Sequence, residues 1–169
     1  TDVSFDYYHF YTGPGLFGIA MTLGAGAVLA NTSLDEDFRH WYHEDVRNSD
    51  CISWAKTAKK LGDGTIVIPA VCAAALLGPS LNSDGGDVLA EWGGRCVRSY
   101  LVGVPVVVAL QWGLGASRPE ESTAGSHWKP FDDTNSISGH AFVGAVPFIA
   151  AAQMTDAWIL KLPLYALST

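Results

Sequence analysis

The chain has 169 residues, which suits one domain with a substantial core. Apolar residues make up 49% of it and charged residues 16%, below the usual ~25%, and the mean hydropathy is +0.18, between ordinary soluble proteins and polytopic membrane proteins. The net charge is −7 and Lys and Arg form no cluster, which argues against a nucleic-acid partner because binding a phosphate backbone requires a basic surface.

Clusters of Gly, Pro, Ser and Asp divide the chain into runs without the alternation of a strand. The run 16–30 is apolar and uncharged, as expected of a buried helix. Ser33, with an acidic residue three positions later, begins a solvated helix. Further helices are predicted at 65–78 and at 87–116, whose second half is uncharged. The pattern predicts an all-α fold, a bundle of about five to six helices in one domain spanning residues 1–169.

One helical run is long enough to suggest a membrane. A spanning helix needs roughly 20 apolar residues, so 99–116 qualifies, whereas 16–30 and 65–78 are short. Arg95 and Arg98 precede the qualifying run and would place that end in the cytoplasm. We therefore expect a membrane protein whose site faces the extracytoplasmic side. A soluble periplasmic bundle is the alternative.

Both ends of the chain suggest a piece of a longer protein. The first residue is Thr1 and no signal-peptide pattern precedes the first apolar run. The last residues lie in an apolar run without a stop signal. We expect the chain to be cut at its C-terminus within a longer domain.

Two polar motifs lie at the ends of long apolar runs and are joined by one polar loop. Arg118 follows the run 99–116, and Pro119 prevents that helix from continuing. The arginine fork suits two oxygens of a phosphate. Ser138 and Gly139 stand where the next helix begins, and helix N-termini attract anions.

His140 completes the second motif. A histidine in the first turn of a helix can give a proton to a leaving oxygen near neutral pH. Each motif alone is also typical of an ordinary helix end: an Arg-Pro boundary in solvent, or a serine cap with a surface histidine. Their combination predicts a site for a phosphate-type oxyanion.

These residues resemble two signature motifs of the type 2 phosphatidic acid phosphatase and vanadium haloperoxidase superfamily. Its pattern is K-x6-R-P, then P-S-G-H, then S-R-x5-H-x3-D. Arg118-Pro119 and Ser138-Gly139-His140 match the first two, and the resemblance covers about residues 99–155. It implies that Arg118, Ser138 and Gly139 bind the phosphoryl group and that His140 is the general acid.

The chain departs from this pattern at two positions. Gln111 stands where the lysine of the first motif is expected, and Ile137 replaces the proline before Ser138. Gln111 can still donate a hydrogen bond to the phosphoryl group. We expect Lys129, in the polar loop, to supply the missing positive charge. A solvated loop lysine is the alternative.

The third motif, with its nucleophilic histidine, is absent from this chain. After His140 there is no further histidine or arginine, and Asp156 is the only later carboxylate. A phosphohistidine route needs both a nucleophile and a partner that orients it. The resemblance therefore implies a phosphate-monoester hydrolase in which this chain supplies phosphate binding and the general acid, while the chain alone hydrolyses little or nothing.

Several points stay open at this level. The implied substrate is a phosphorylated small molecule or a lipid phosphate, with no cofactor and with phosphate or vanadate as the occupant of the anion site. A vanadium-dependent haloperoxidase would use the same residues, and a scaffold protein with a decayed site would also fit Gln111. On a helix His40 shares a face with His43 or with Glu44, and such a face could hold a metal, but the spacing matches no common metal motif.

Overall fold

The computed structural model describes residues 3–30, 32–115, 131–132 and 136–168. These residues form α-helices and no strand, which confirms the all-α class, and the helices number eight rather than the five to six expected. A π-helical turn follows the third helix and a 3-10 turn follows the fifth. The helices are α1 (Val3–Phe10), α2 (Pro14–Ala30), α3 (Ser33–Trp41), α4 (Ser49–Leu61), α5 (Gly64–Leu77), α6 (Asp84–Leu114), α7 (Gly139–Ala152) and α8 (Trp158–Leu167).

The chain forms two compact units, Thr1–Ala58 and Lys59–Thr169. In the first unit α1 packs against α2, and α2 against α3. Among the described residues, the buried apolar side chains all lie in the second unit. That unit also contains every described residue of the predicted anion site.

The core of the second unit lies between α5, α6 and α7. Its buried cluster consists of Val71, Cys96, Tyr100, Val146 and Ala150. The apolar faces of the three helices meet there, so each helix is fixed by burial rather than by its own propensity.

Glycines let α5 and α6 come into direct backbone contact. A Cβ atom on Gly93 would lie 2.5 Å from the nitrogen of Ala75 and 2.7 Å from the oxygen of Val71. One on Gly86 would lie 2.6 Å from the oxygen of Gly78. Small residues of this kind allow close helix packing both in membranes and in soluble bundles.

α7 runs antiparallel to α6, and two long-range hydrogen bonds establish the direction. The hydroxyl of Tyr100 donates to the carbonyl oxygen of Val143 at 2.7 Å, and Nε1 of Trp92 donates to that of Pro147 at 2.9 Å. Higher numbers on α7 thus pair with lower numbers on α6. The C-terminus of α6 and the N-terminus of α7 therefore lie at the same end of the unit.

Two helical stretches are long and apolar enough to cross a membrane, Gly64–Leu81 and Asp84–Leu114. The prediction that 65–78 is too short was wrong, because α5 continues through the 3-10 turn and the stretch reaches 18 residues. Only 17% of the apolar window of each stretch is buried, whereas the core helix of a soluble protein is mostly buried.

Arg95 and Arg98 lie inside α6, in agreement with the helix predicted at 87–116. The candidate stretch is the whole of α6 from Asp84, so the two arginines lie within this stretch rather than at its start. Nε of Arg95 donates to Oε1 of Glu91 at 2.7 Å, one helical turn away. These arginines therefore do not mark a helix end, and they give no orientation relative to a membrane.

Candidate functional site

The second motif forms the start of α7. The Oγ of Ser138 accepts a hydrogen bond from the nitrogen of Ala141 at 3.1 Å, and its carbonyl oxygen accepts one from the nitrogen of Phe142 at 3.2 Å. Ser138 is thus the N-cap, one of the two roles considered for it, and its hydroxyl keeps a proton to donate. The first N–H groups of a helix have no acceptor within that helix, so they can face an anion.

Gln111 connects the first motif to the second. Its Nε2 donates to the carbonyl oxygen of Ile137 at 2.7 Å. A Cβ atom on Gly139 would lie 3.4 Å from the same Nε2, so the absence of a side chain at Gly139 leaves room for the amide. Because a primary amide has two N–H groups, Gln111 retains one donor beside the start of α7.

Further hydrogen bonds hold the same two chain segments together. The Oγ of Ser136 lies 3.3 Å from the carbonyl oxygen of Leu110 and 3.2 Å from that of Gln111. The nitrogen of Phe131 donates to the carbonyl oxygen of Trp112 at 2.9 Å, and the two rings meet edge to face. The residues that follow segment 116–130 therefore return to the last turns of α6.

The predicted residues divide into two groups. Gln111, Ser138, Gly139 and His140 lie together at one end of the second unit, with His140 exposed on the first turn of α7. Arg118 and Lys129 belong to segment 116–130 and lie outside the described residues. The exposed His140 and the capping Ser138 also fit the alternative of a plain helix cap, so Gln111 is the more informative contact.

Sequence reasoning missed a third segment that packs against the start of α7, the turn between α4 and α5. A Cβ atom on Gly62 would lie 2.3 Å from the carbonyl oxygen of His140. One on Gly144 would lie 3.2 Å from the Cα of Gly62. In the sequence Gly62 belongs to the cluster Gly62-Asp63-Gly64, which predicts only the end of a helix. The available signal was the pair Gly62 and Gly144, because glycines allow close contact between helices. Nothing in the neighbouring sequence indicates which segments these glycines join.

Asp63 follows Gly62 and is the N-cap of α5. Its Oδ1 accepts hydrogen bonds from the nitrogen of Thr65 at 2.9 Å and from the hydroxyl of Thr65 at 2.7 Å. The side-chain bond lowers the pKa of Asp63 most and the backbone bond next, against a smaller opposing effect of desolvation. Attraction to His140 and Lys59 lowers it further. Asp63 is therefore a carboxylate held in place by Thr65, and attraction to His140 is one of the smaller causes of its lowered pKa.

The alternative metal site has another arrangement. Nδ1 of His40 lies 3.8 Å from Oε1 of Glu44, while Nδ1 of His43 lies 3.1 Å from an NH group of Arg47. The two histidines therefore contact different partners. Within the described ranges, no three His, Cys, Asp or Glu side chains are grouped so that they could hold a metal ion.

An apolar cavity of about 750 Å³ lies in the second unit between the start of α6, the end of α7 and α8. Val88, Trp92, Met154 and Leu160 are among its lining residues. Trp92 precedes Gln111 by 19 positions of the same helix, which is roughly 28 Å at 1.5 Å per residue. The cavity is therefore separate from the candidate anion site.

No protein-family model matches this chain, and no curated protein or solved structure matches it either. The motifs and the contacts between α5, α6 and α7 therefore indicate its chemistry. At this end of the unit, the described donors are the second N–H of Gln111, the hydroxyl of Ser138, the first N–H groups of α7 and the ring of His140. All of these can donate to an oxyanion.

Proposed function

We propose that the second unit binds a phosphate-type oxyanion where α6 ends and α7 begins, as part of a phosphate-monoester hydrolase. The hydrogen bond from Gln111 to Ile137 carries this proposal. It joins the residue at the lysine position of the first motif to the residue directly before Ser138-Gly139-His140. The described residue of the first motif region, Gln111, thus lies beside the start of the second motif, which supports a ligand shared by the two.

Each residue has a distinct part in the proposed site. Arg118 clamps two phosphoryl oxygens, while the hydroxyl of Ser138 and the N–H groups near Gly139 contact the same group. Gln111 donates its second N–H, and Lys129 adds positive charge. The contacts from Ser138 and from the N–H groups near Gly139 resemble those of other anion sites at helix N-termini.

His140 is the proposed general acid. As the bond from phosphorus to the leaving oxygen breaks, the N–H bond of the imidazolium breaks too, and its proton forms the O–H bond of the alcohol. The attack on phosphorus belongs to a histidine that this chain does not supply, because none follows His140 in its sequence. The chain thus provides the phosphate-binding and general-acid part of a phosphohistidine route.

A lipid phosphate is the proposed substrate. Support comes from the two stretches that are long and apolar enough to cross a membrane, together with large apolar side chains on the surface of the second unit. Leu76, 76% exposed, and Ile159, 82% exposed, are two of many such side chains, and exposed apolar surface of large extent marks a membrane or protein interaction site.

Binding of orthovanadate tests the anion site directly. We expect the detergent-solubilised chain to bind vanadate, measured by vanadium NMR, and Arg118→Ala to weaken binding about tenfold or more through loss of a charge-assisted fork. Lys129→Ala should weaken it about threefold, as expected for one exposed point charge. Arg47→Ala, which removes an equal charge from the first unit, is the matched control.

Equal vanadate affinities for Arg118→Ala and Arg47→Ala would contradict the anion site. An unchanged vanadate affinity in Lys129→Ala would contradict the part given to that lysine.

Turnover is measured on the natural gene product with a lipid phosphate and with a soluble ester. His140→Ala should lower kcat about 10²–10⁴-fold. Bromination that requires peroxide and vanadate would indicate a haloperoxidase instead, and binding without turnover would indicate a scaffold.

A further inference from the structure

The apolar cavity of the second unit is formed by three helical segments. The first turns of α6 line one side, the end of α7 with the residues after it lines another, and α8 lines the third. The volume of about 750 Å³ lies within the ~300–1,000 Å³ typical of sites for small molecules and cofactors. The cavity is therefore large enough to hold a ligand.

The two polar side-chain groups among the described lining residues already have partners within the protein. Nε1 of Trp92 donates to the carbonyl oxygen of Pro147 at 2.9 Å. Oγ1 of Thr155 accepts a hydrogen bond from the nitrogen of Ala157 at 3.2 Å. The other lining residues, one glycine and one methionine aside, carry hydrocarbon side chains. Apolar cavities stay dry and bind apolar molecules, so the chemistry of this one suits a hydrocarbon.

Exposed apolar side chains continue from the cavity onto the outer surface of the unit. Val88 and Leu160 line the cavity and are nevertheless 59% and 55% exposed. Ile159 and Leu162, which do not line it, are more exposed still. The α6 side of the cavity also belongs to the stretch Asp84–Leu114, which is long and apolar enough to cross a membrane. A hydrocarbon chain of a bilayer lipid can therefore reach the cavity along an apolar surface.

The charged groups next to the lining residues carry both signs. Three exposed carboxylates adjoin lining residues in the chain, those of Asp84, Asp87 and Asp156. Lys161 adjoins another lining residue, and its Nζ lies 5.6 Å from the centroid of the Trp158 ring. Glu91 also adjoins one but is paired with Arg95. A zwitterionic headgroup suits this arrangement, because its ammonium group complements the carboxylates and its phosphate complements Lys161.

We propose that the cavity binds one acyl chain of a zwitterionic membrane lipid such as a phosphatidylcholine, with the headgroup outside the cavity among these charged groups. Trp92 and Gln111 lie roughly 28 Å apart along α6, so this lipid is not the substrate of the anion site. The cavity is a separate lipid site at the other end of the unit, and it does not depend on the proposed hydrolase function.

Native mass spectrometry of the detergent-solubilised chain tests the site by counting bound lipids. After incubation with phosphatidylcholine and removal of the excess, we expect one phosphatidylcholine molecule to remain on each chain. Phosphatidylglycerol and palmitic acid each bring a net negative charge, so their retention should be about threefold lower. Preferential retention of either anionic compound would overturn the zwitterionic occupant. Retention of detergent alone would overturn the lipid site.

Two substitutions that fill the cavity locate the bound lipid. Val88→Phe, from α6, and Ala151→Leu, from α7, should each lower the retention of phosphatidylcholine about fivefold or more, because the added atoms occupy the space of the chain. Val108→Phe is the matched control, since it makes the same change in the same helix at a side chain that is 55% exposed. Its retention should equal that of the unsubstituted chain.

Equal retention in folded Val88→Phe, Ala151→Leu and Val108→Phe would overturn the site. A dimer that Val88→Phe dissociates, with no lipid bound, would show that a second copy of the chain occupies the cavity instead. The measurement needs neither vanadate nor turnover, so its outcome is distinct from that of the anion-site experiment.

Discussion

Pro147 lies inside α7 and removes one helical hydrogen bond, which the side chain of Tyr100 replaces. Proline has no N–H group, so the carbonyl oxygen of Val143, four residues earlier, loses its usual donor. The hydroxyl of Tyr100 donates to that oxygen at 2.7 Å, from a side chain that is buried in the core. A local defect of α7 is thus repaired by α6.

Removing the Tyr100 hydroxyl should therefore destabilise the protein beyond the loss of one ordinary hydrogen bond. In Tyr100→Phe the carbonyl of Val143 remains in the interior without its donor, which costs about 1–3 kcal/mol. Thermal unfolding followed by circular dichroism in detergent measures the effect as a lower Tm. The control is Tyr8→Phe, because the ring of Tyr8 is 67% exposed. Equal Tm values for the two variants would contradict this account of the core.

At the scale of elements, glycine contacts decide which helices pack together. α5 and the turn after it meet α6 through Gly78, Gly86 and Gly93, and the turn between α4 and α5 meets α7 through Gly62 and Gly144. In each case a Cβ atom would collide with, or press closely on, backbone atoms that cannot rotate away. The second contact brings the N-terminus of α5 to the candidate site.

Two neighbouring glycines of α6 allow a direct test. Gly93→Ala places a methyl group against the backbone of α5 and should cost about 1–3 kcal/mol through overpacking. In Gly94→Ala the new methyl group would meet nothing within 4 Å, so the gain in helix propensity should stabilise the protein by up to about 1 kcal/mol. Opposite signs of the change in Tm are expected, and equal shifts would contradict the close contact.

At the scale of the whole molecule, the exposed apolar surface and the long apolar stretches favour a membrane environment. The described core of the second unit is small, while large apolar side chains cover much of its outside. In water such a surface would favour association, whereas in a bilayer it is solvated by lipid. The position of the candidate site at one end of the unit suits a substrate that approaches from the membrane surface.

Membrane fractionation tests this prediction. The expressed chain should sediment with membranes, resist extraction by alkaline carbonate and dissolve only with detergent, as expected of a protein with spanning helices. A monomeric protein that remains soluble in buffer without detergent would favour the soluble bundle. In that case a soluble phosphate ester would replace the lipid phosphate as the proposed substrate.

The sequence by itself determined the features that depend on neighbouring residues. Helical spacing, the breaks at Gly and Pro, and the cap at Ser138 predicted the all-α class and the start of α7, because helices form through contacts three or four residues apart. The motifs also identified the candidate residues, although Arg118 and Lys129 lie outside the described part.

Only the tertiary structure decided which of these residues meet. The hydrogen bond between Gln111 and Ile137 spans 26 positions, and the close contact of Gly62 with the backbone of His140 joins segments on opposite sides of α6 in the sequence. Such contacts depend on how α5, α6 and α7 cross, which is set by glycine contacts and by burial of a shared core. No local pattern encodes these crossings, so the contact between Gly62 and His140 emerged only from the fold.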